Sequence, residues 1–309
     1  MKVLITGGAG FLGSHLCEKF LKENYEIICL DNLGSGRKEN IAEFLNNKNF
    51  KFIKADVSKD LSQIEKVDLI LHFASRASPF DYQENSFETI ESNTLGTKNC
   101  LEKAKKDNAV LLYASTSEIY GQANIIPTPE TYWGNVNSFG PRSCYDESKR
   151  LGETYCYEYL NKYDIDVRVL RIFNTYGPKM KFDDGRVVTN FIDQALKNKP
   201  ITIFGKGMQT RCFCYVDDLI NGIYEFSVKK GLKGEVINLG NNEEHTMIDL
   251  ANKIIELTGS KSKIVYSDLP KDDPIRRVPD ITKAKKILGW EPKYSFEEGL
   301  KKFIREIKK

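Results

Sequence analysis

Lys2-Val-Leu-Ile-Thr-Gly-Gly-Ala-Gly-Phe-Leu-Gly13 decides the fold of this chain. Its apolar run, Val3 to Ile5, reads as a parallel strand buried on both faces. Glycines follow at positions 7, 10 and 13, and the pattern after them predicts a helix over Ser14–Glu23. Together the three glycines let the turn tighten, a diphosphate approach the amides of the helix N-terminus, and the helix pack closely on the strand. A second apolar strand, Glu26-Ile-Ile-Cys-Leu30, ends in Asp31, 18 residues past Gly13. A carboxylate there accepts hydrogen bonds from an adenosine ribose and repels a 2′-phosphate, which favours NAD over NADP. Arg37 is the competing signal, because a guanidinium pairs readily with phosphate.

Outward from this turn, strands are expected near 2–6, 26–30, 50–54, 68–73, 110–115 and 167–172, with helical patterns between most of them. Regular βα alternation of this kind means an α/β chain, a doubly wound parallel (Rossmann) sheet with helices on both faces. Ligands of such sheets bind beyond the carboxyl ends of the strands. The chemistry-bearing residues collect at that edge. Gly7, Gly10, Phe11, Leu12 and Gly13 follow the first strand; Asp31, Asn32 and Ser35 the second; Asp56 and Val57 the third. His72-Phe-Ala-Ser75 follows the fourth, Ser115 to Glu118 the fifth, and Asn174 the sixth. Of these, Ala74, Ser115 and the residues after the first three strands are the candidate cofactor contacts. Residues 1–177 with 213–240 are expected to form the NAD-binding domain, and 178–212 with 241–309 a smaller, interrupted α/β substrate domain. The second part should contain a helix to about Asn198, a strand Ile201–Phe204 and a terminal helix, while 213–240 returns a helix and a strand to the sheet.

Tyr145-Asp-Glu-Ser-Lys149 adds chemistry to this frame. On a helix, residues four apart share a face, so phenol and ammonium lie together. A tyrosine ordinarily titrates near ~10, and a neighbouring cation stabilises its phenolate, which can then take a proton from a sugar hydroxyl. Composition sets the outer bounds. The 309 residues carry 46 basic and 43 acidic side chains, a net +3 spread along the chain, which gives no nucleic-acid surface. The seven cysteines and three histidines show no metal-ligand spacing, and the thiols read as reduced. No apolar run reaches the roughly 18 residues of a membrane span, and no secretory leader is evident. A cytoplasmic enzyme is expected.

Longer phrases carry a resemblance: Ala114-Ser-Thr-Ser-Glu-Ile-Tyr-Gly121, Gly140-Pro-Arg-Ser-Cys-Tyr-Asp-Glu-Ser-Lys-Arg150, Arg171-Ile-Phe-Asn-Thr-Tyr-Gly-Pro178, Asp184-Gly-Arg-Val-Val188, Gln209-Thr-Arg211 and Asp272-Asp-Pro274. Through them nearly the whole chain resembles the extended short-chain dehydrogenase/reductase family of nucleotide-sugar enzymes, and within it the decarboxylases of UDP-glucuronate. By resemblance, 4,6-dehydratases carry Asp-Glu where this chain has Ser117-Glu118, and 4-epimerases usually lack the carboxylate. The resemblance implies NAD-dependent conversion of UDP-glucuronate to UDP-xylose through a 4-keto intermediate. It implies Tyr145 as base, with Lys149 and Thr116 supporting it, and Ser117 and Glu118 positioning the sugar carboxylate or a water. Asn174 and Arg211 are implied for the sugar-nucleotide phosphates, and Arg277 for the carboxylate or diphosphate; Asn93, Arg186 and Tyr215 are further substrate candidates. One departure stands out in Ala74-Ser-Arg-Ala-Ser-Pro79, where Arg76 replaces a usual proline. The resemblance also implies a homodimer, built from Phe87–Lys105 and Tyr145–Tyr163 of each subunit. A 4-epimerase or 4,6-dehydratase of another nucleotide sugar is the alternative enzyme. A non-catalytic dinucleotide sensor would have no need of Thr116, Tyr145 and Lys149 together.

Overall fold

A computed structural model describes residues 1–182 and 185–308; Asp183, Asp184 and Lys309 lie outside the described residues, and with them the first residue of the Asp184–Val188 phrase. The first half alternates strand and helix: β1 (Lys2–Thr6), α1 (Phe11–Lys22), β2 (Glu26–Asp31), β3 (Phe50–Lys54), β4 (Leu69–His72), α2 (Pro79–Glu84), α3 (Ser86–Asp107), β5 (Val110–Thr116), α4 (Ser143–Tyr163) and β6 (Val167–Ile172). The second half is more broken: β7 (Thr175–Tyr176), α5 (Val187–Leu196), β8 (Ile201–Phe204), β9 (Thr210–Cys212), β10 (Cys214–Tyr215), α6 (Val216–Val228), β11 (Val236–Leu239), β12 (Glu244–Thr246), α7 (Met247–Thr258), β13 (Ile264–Ser267), β14 (Arg276–Arg277), α8 (Thr282–Leu288) and α9 (Phe296–Ile307).

Seven strands form one parallel sheet in the order β11-β6-β5-β4-β1-β2-β3. Because successive side chains on a strand point to opposite faces, Val3 and Ile5 enter the core shared with Leu16 and Phe20 of α1, whereas Leu4 enters that of Leu101 and Tyr113. Both faces are therefore apolar, and each fully buried aliphatic side chain contributes about 1.5–3 kcal/mol. On one side α1 packs against α6, and on the other α3 packs along α4. Residues 216–239 supply α6 and β11, and β11 pairs with β6 to widen the sheet.

Helix α1 begins at Phe11, three residues before the position expected from the apolar pattern. Gly10, in extended conformation, caps it without a side chain, so the tight turn runs straight into the helix. This places the first helical amides against the glycine turn. Short strands that no periodicity announced arrange the second half: β9 pairs antiparallel with β12 and parallel with β14, setting Arg211 level with Arg277. Among the described residues no helix is long and apolar enough to cross a membrane.

Candidate active site

A cavity of about 1010 Å³ runs along the carboxyl edge of the sheet, from the glycine turn and β2 to the segment carrying β14. At the end formed by the glycine turn, the glycines are explained by contact. A Cβ on Gly13 would lie 2.0 Å from the Gly7 oxygen, and one on Gly7, where φ is +70°, would lie 2.7 Å from the backbone of Phe73 and Ala74. Gly10 has only the Gly7 oxygen nearby, at 3.1 Å, so the helix N-terminus faces the cavity across bare backbone. Asp31 is anchored by the amides of Ala9, at 3.0 Å, and Leu33, at 2.7 Å. Burial pushes its carboxyl upward and the two amides pull it back. Arg37 is partly spoken for, donating to the Lys179 carbonyl at 3.2 Å and to Asn40 at 3.3 Å.

Phe11, Leu12, Asn32, Ser35, Val57, Ala74 and Ser115 also line the cavity. Asp56 does not; it stands behind the wall, accepting from Ser58 and, at 3.2 Å, from Asn32. His72 serves the core: its ring bonds Thr6 at 2.8 Å and Thr97 at 3.1 Å, and burial lowers it to about 3, so it stays neutral. Amides at a helix N-terminus, a bare glycine turn and an anchored carboxylate fit a dinucleotide with an unphosphorylated adenosine ribose.

Midway along the cavity, Tyr145 stands in the first turn of α4 and Thr116 ends β5. Lys149 follows one turn later, its Nζ donating to the Ala114 carbonyl at 2.8 Å and lying 5.8 Å from the Tyr145 ring centre. Burial brings the Lys149 ammonium down to about 7. Burial pushes the Tyr145 phenol up, and a hydrogen bond with Thr116 works against that rise. Lysine and tyrosine share one buried pocket, so desolvation acts on both before their mutual charge does.

The far end is a charge cluster. Glu118 forms ion pairs with Arg277 through one carboxylate oxygen and with Arg142 through the other. Burial works to raise this carboxyl, but the two guanidiniums overcome it and hold it at about 2. Arg142 also faces Asp146 at 3.9 Å, whose carboxyl burial and the Glu118 charge raise to about 7. Arg211 pairs with Asp273 at 3.0 Å. Ser117, Asn174 and Arg186 line the same cavity, with the Arg186 guanidinium 5.6 Å from the Phe11 ring.

Two expected substrate residues are not brought to the cavity. Asn93 is fully buried between α3 and α4, donating to Ser148 at 2.9 Å, and Tyr215 packs edge-on against Tyr176 and Tyr294. Two others were missed. Arg142 precedes Tyr145 by one helical step of three residues, a spacing visible in the sequence. Tyr82 left no such signal: it comes from α2, stacks on Tyr145 with ring centres 4.9 Å apart and planes at 7°, and its buried hydroxyl has no partner.

The model of the NAD dependent epimerase/dehydratase family matches residues 3–240. UDP-glucuronic acid decarboxylase 1 of Xenopus tropicalis is 48% identical over 308 residues, covering 100% of this chain and 72% of that protein. The crystal structure of UDP-glucose 4-epimerase from Thermotoga maritima with UDP-glucose superimposes with a TM-score of 0.92 at 32% identity, covering 100% of this chain and 99% of the other. UDP-glucuronic acid 4-epimerase from Bacillus cereus, in complex with UDP-glucuronic acid and NAD, gives a TM-score of 0.87 at 31% identity, with coverage of 100% and 99%.

Proposed function

This chain belongs to the NAD dependent epimerase/dehydratase family, and on that premise we propose that it converts UDP-glucuronate to UDP-xylose and carbon dioxide, recycling NAD within each turnover. The observation that carries the reading is Glu118, held ionised between Arg142 and Arg277 and preceded by Ser117. A 4,6-dehydration needs an acid to protonate the departing hydroxyl; a serine is too weak for that, and a carboxyl at about 2 has no proton to give. Two guanidiniums around one carboxylate leave a positive surplus, which suits the carboxylate of a hexuronate rather than a neutral hexose.

NAD, when bound by the glycine turn and Asp31, supplies the hydride acceptor and a positive nicotinamide charge. Tyr145 takes the proton of the carbon 4 hydroxyl, with Lys149 stabilising the phenolate and Thr116 fixing the oxygen's direction. A hexuronate with a ketone at carbon 4 is a β-keto acid, so its carboxylate leaves as carbon dioxide and the electrons collect on the carbon 4 oxygen. Tyr145 and Thr116 stabilise that enolate. Glu118, Ser117, Arg277 and Arg142 orient the carboxylate and then the water that protonates carbon 5, and Tyr145 gives its proton back to the carbon 4 oxygen as that carbon regains its hydride, which yields the pentose. Asn174, Arg211 and Arg186 hold the sugar nucleotide on the side formed by residues 178–212 and 241–309.

Incubation with UDP-glucuronate, UDP-glucose and dTDP-glucose, followed by mass spectrometry, tests this. Only UDP-glucuronate should change, losing carbon dioxide, and in heavy water its pentose should carry one deuterium at carbon 5 and none at carbon 4. A six-carbon epimer without that deuterium would put the 4-epimerase in its place.

The same reading includes a cytoplasmic homodimer. Phe87 and Leu95 of α3 and Leu151 and Tyr157 of α4 are exposed on two helices that pack together, an apolar face suited to the same pair in a second copy. A monomer mass by light scattering at micromolar protein would overturn the dimer.

A further inference from the structure

Arg76 occupies a place that neither the reaction nor the glycine turn requires. It leaves β4 in the loop to α2, and its side chain is largely buried at the rim of the cavity. One guanidinium nitrogen forms an ion pair with Asp81 of α2. The other reaches the opposite rim: a Cβ built on Gly34, in the turn after β2, would meet Arg76 Nη2 at 3.0 Å. That turn is stiff, because Asn32 accepts from the Gly34 amide at 2.8 Å and donates to Asp56 at 3.2 Å. A single planar group thus extends from Asp81, on the helix whose next residue, Tyr82, stacks on Tyr145, to lie against the turn that follows Asp31.

We propose that Arg76, braced by Asp81, is a positioning residue that retains the dinucleotide by bridging the two rims of its cleft. The inference rests on the recycling of NAD described above: a cofactor that regains its starting state in every turnover has no need to leave, and a bridge over the cleft slows its departure. Asp81 holds the guanidinium against the turn at Gly34, so losing Arg76 and losing Asp81 should not add.

The test is release of NAD from the purified holoprotein, followed by cofactor content after timed dialysis. Arg76→Ala should release NAD about ten-fold faster, the equivalent of losing one good ion pair. Asp81→Asn should do the same, the double variant no more than either, and Arg76→Lys should recover part of the effect. The idea is overturned if Arg76→Ala releases NAD within about two-fold of the parent, the scatter expected of a surface change with no role. It is equally overturned if Asp81→Asn is silent while Arg76→Ala is not, because Arg76 would then touch the cofactor without a bridge. None of these measurements uses a sugar, so their failure is distinct from a failure to form UDP-xylose.

Discussion

The two ends of the cavity are built on opposite plans. The cofactor end is backbone: a glycine turn, the amides of a helix N-terminus and one anchored carboxylate, all supplied by the first 31 residues. The end we propose for the sugar is charge: Glu118 meets Arg142 from 24 residues on and Arg277 from 159 residues on. Contacts made by backbone are specified by steric exclusion over a few neighbouring positions. A cluster of buried charges exists only when the fold has brought remote segments together, and each member depends on its partners for solvation. The first plan should fail through shape and the second through electrostatics, and the variants below separate them.

Tyr145 stands between the two ends, and its loss should cost most. Tyr145→Phe keeps the ring and its stack on Tyr82 but removes the proton acceptor, so turnover should fall about 10²–10⁴-fold, the usual range for a positioned acid or base. NAD content should stay unchanged; a turnover within ten-fold of the parent would show that another group takes the proton.

Glu118→Gln breaks the sugar end alone. Turnover should fall about 100-fold with NAD retained, and stability should drop by about 3 kcal/mol near neutral pH, since two buried guanidiniums lose their counter-charge. The sign follows from the lowered folded value: the stabilisation is present above the ordinary 4.5 and is lost as pH falls through about 2. Denaturant melts of parent and variant should therefore differ at pH 7 and converge toward pH 2. A constant difference across that range would mean that Glu118 acts through packing rather than charge.

Gly13→Ala breaks the cofactor end alone. Its methyl group would be driven into the Gly7 carbonyl, 2.0 Å away, and overpacking of this kind costs about 1–3 kcal/mol. Calorimetric titration should show weaker NAD binding, and the stability difference should stay constant from pH 7 down toward pH 2, in contrast to Glu118→Gln. The smallest effect is expected from Asp31→Asn, which removes the charge and leaves one of the two anchoring amides, that of Ala9 or of Leu33, without its acceptor. It should narrow the preference for NAD over NADP about ten-fold, the scale of one charge-assisted contact. An unchanged preference would assign the discrimination to the shape of the turn.

The sequence by itself determined the fold class, the sheet edge where the cavity lies and the tight turn from β1 into α1, because these depend on local periodicity and on glycines such as Gly13, whose contact with Gly7 is made within that turn. It placed Tyr145 and Lys149 on one helical face for the same reason. It also started α1 three residues late, since a glycine cap carries no side-chain signature. Tertiary structure alone decided that Asn93 and Tyr215 are core residues, that Arg142 is a partner of Glu118, that β14 lays Arg277 beside Arg211, and that Tyr82 covers Tyr145. Each of those facts joins segments far apart in the chain through burial and charge, and neither quantity is defined until the chain has folded around it.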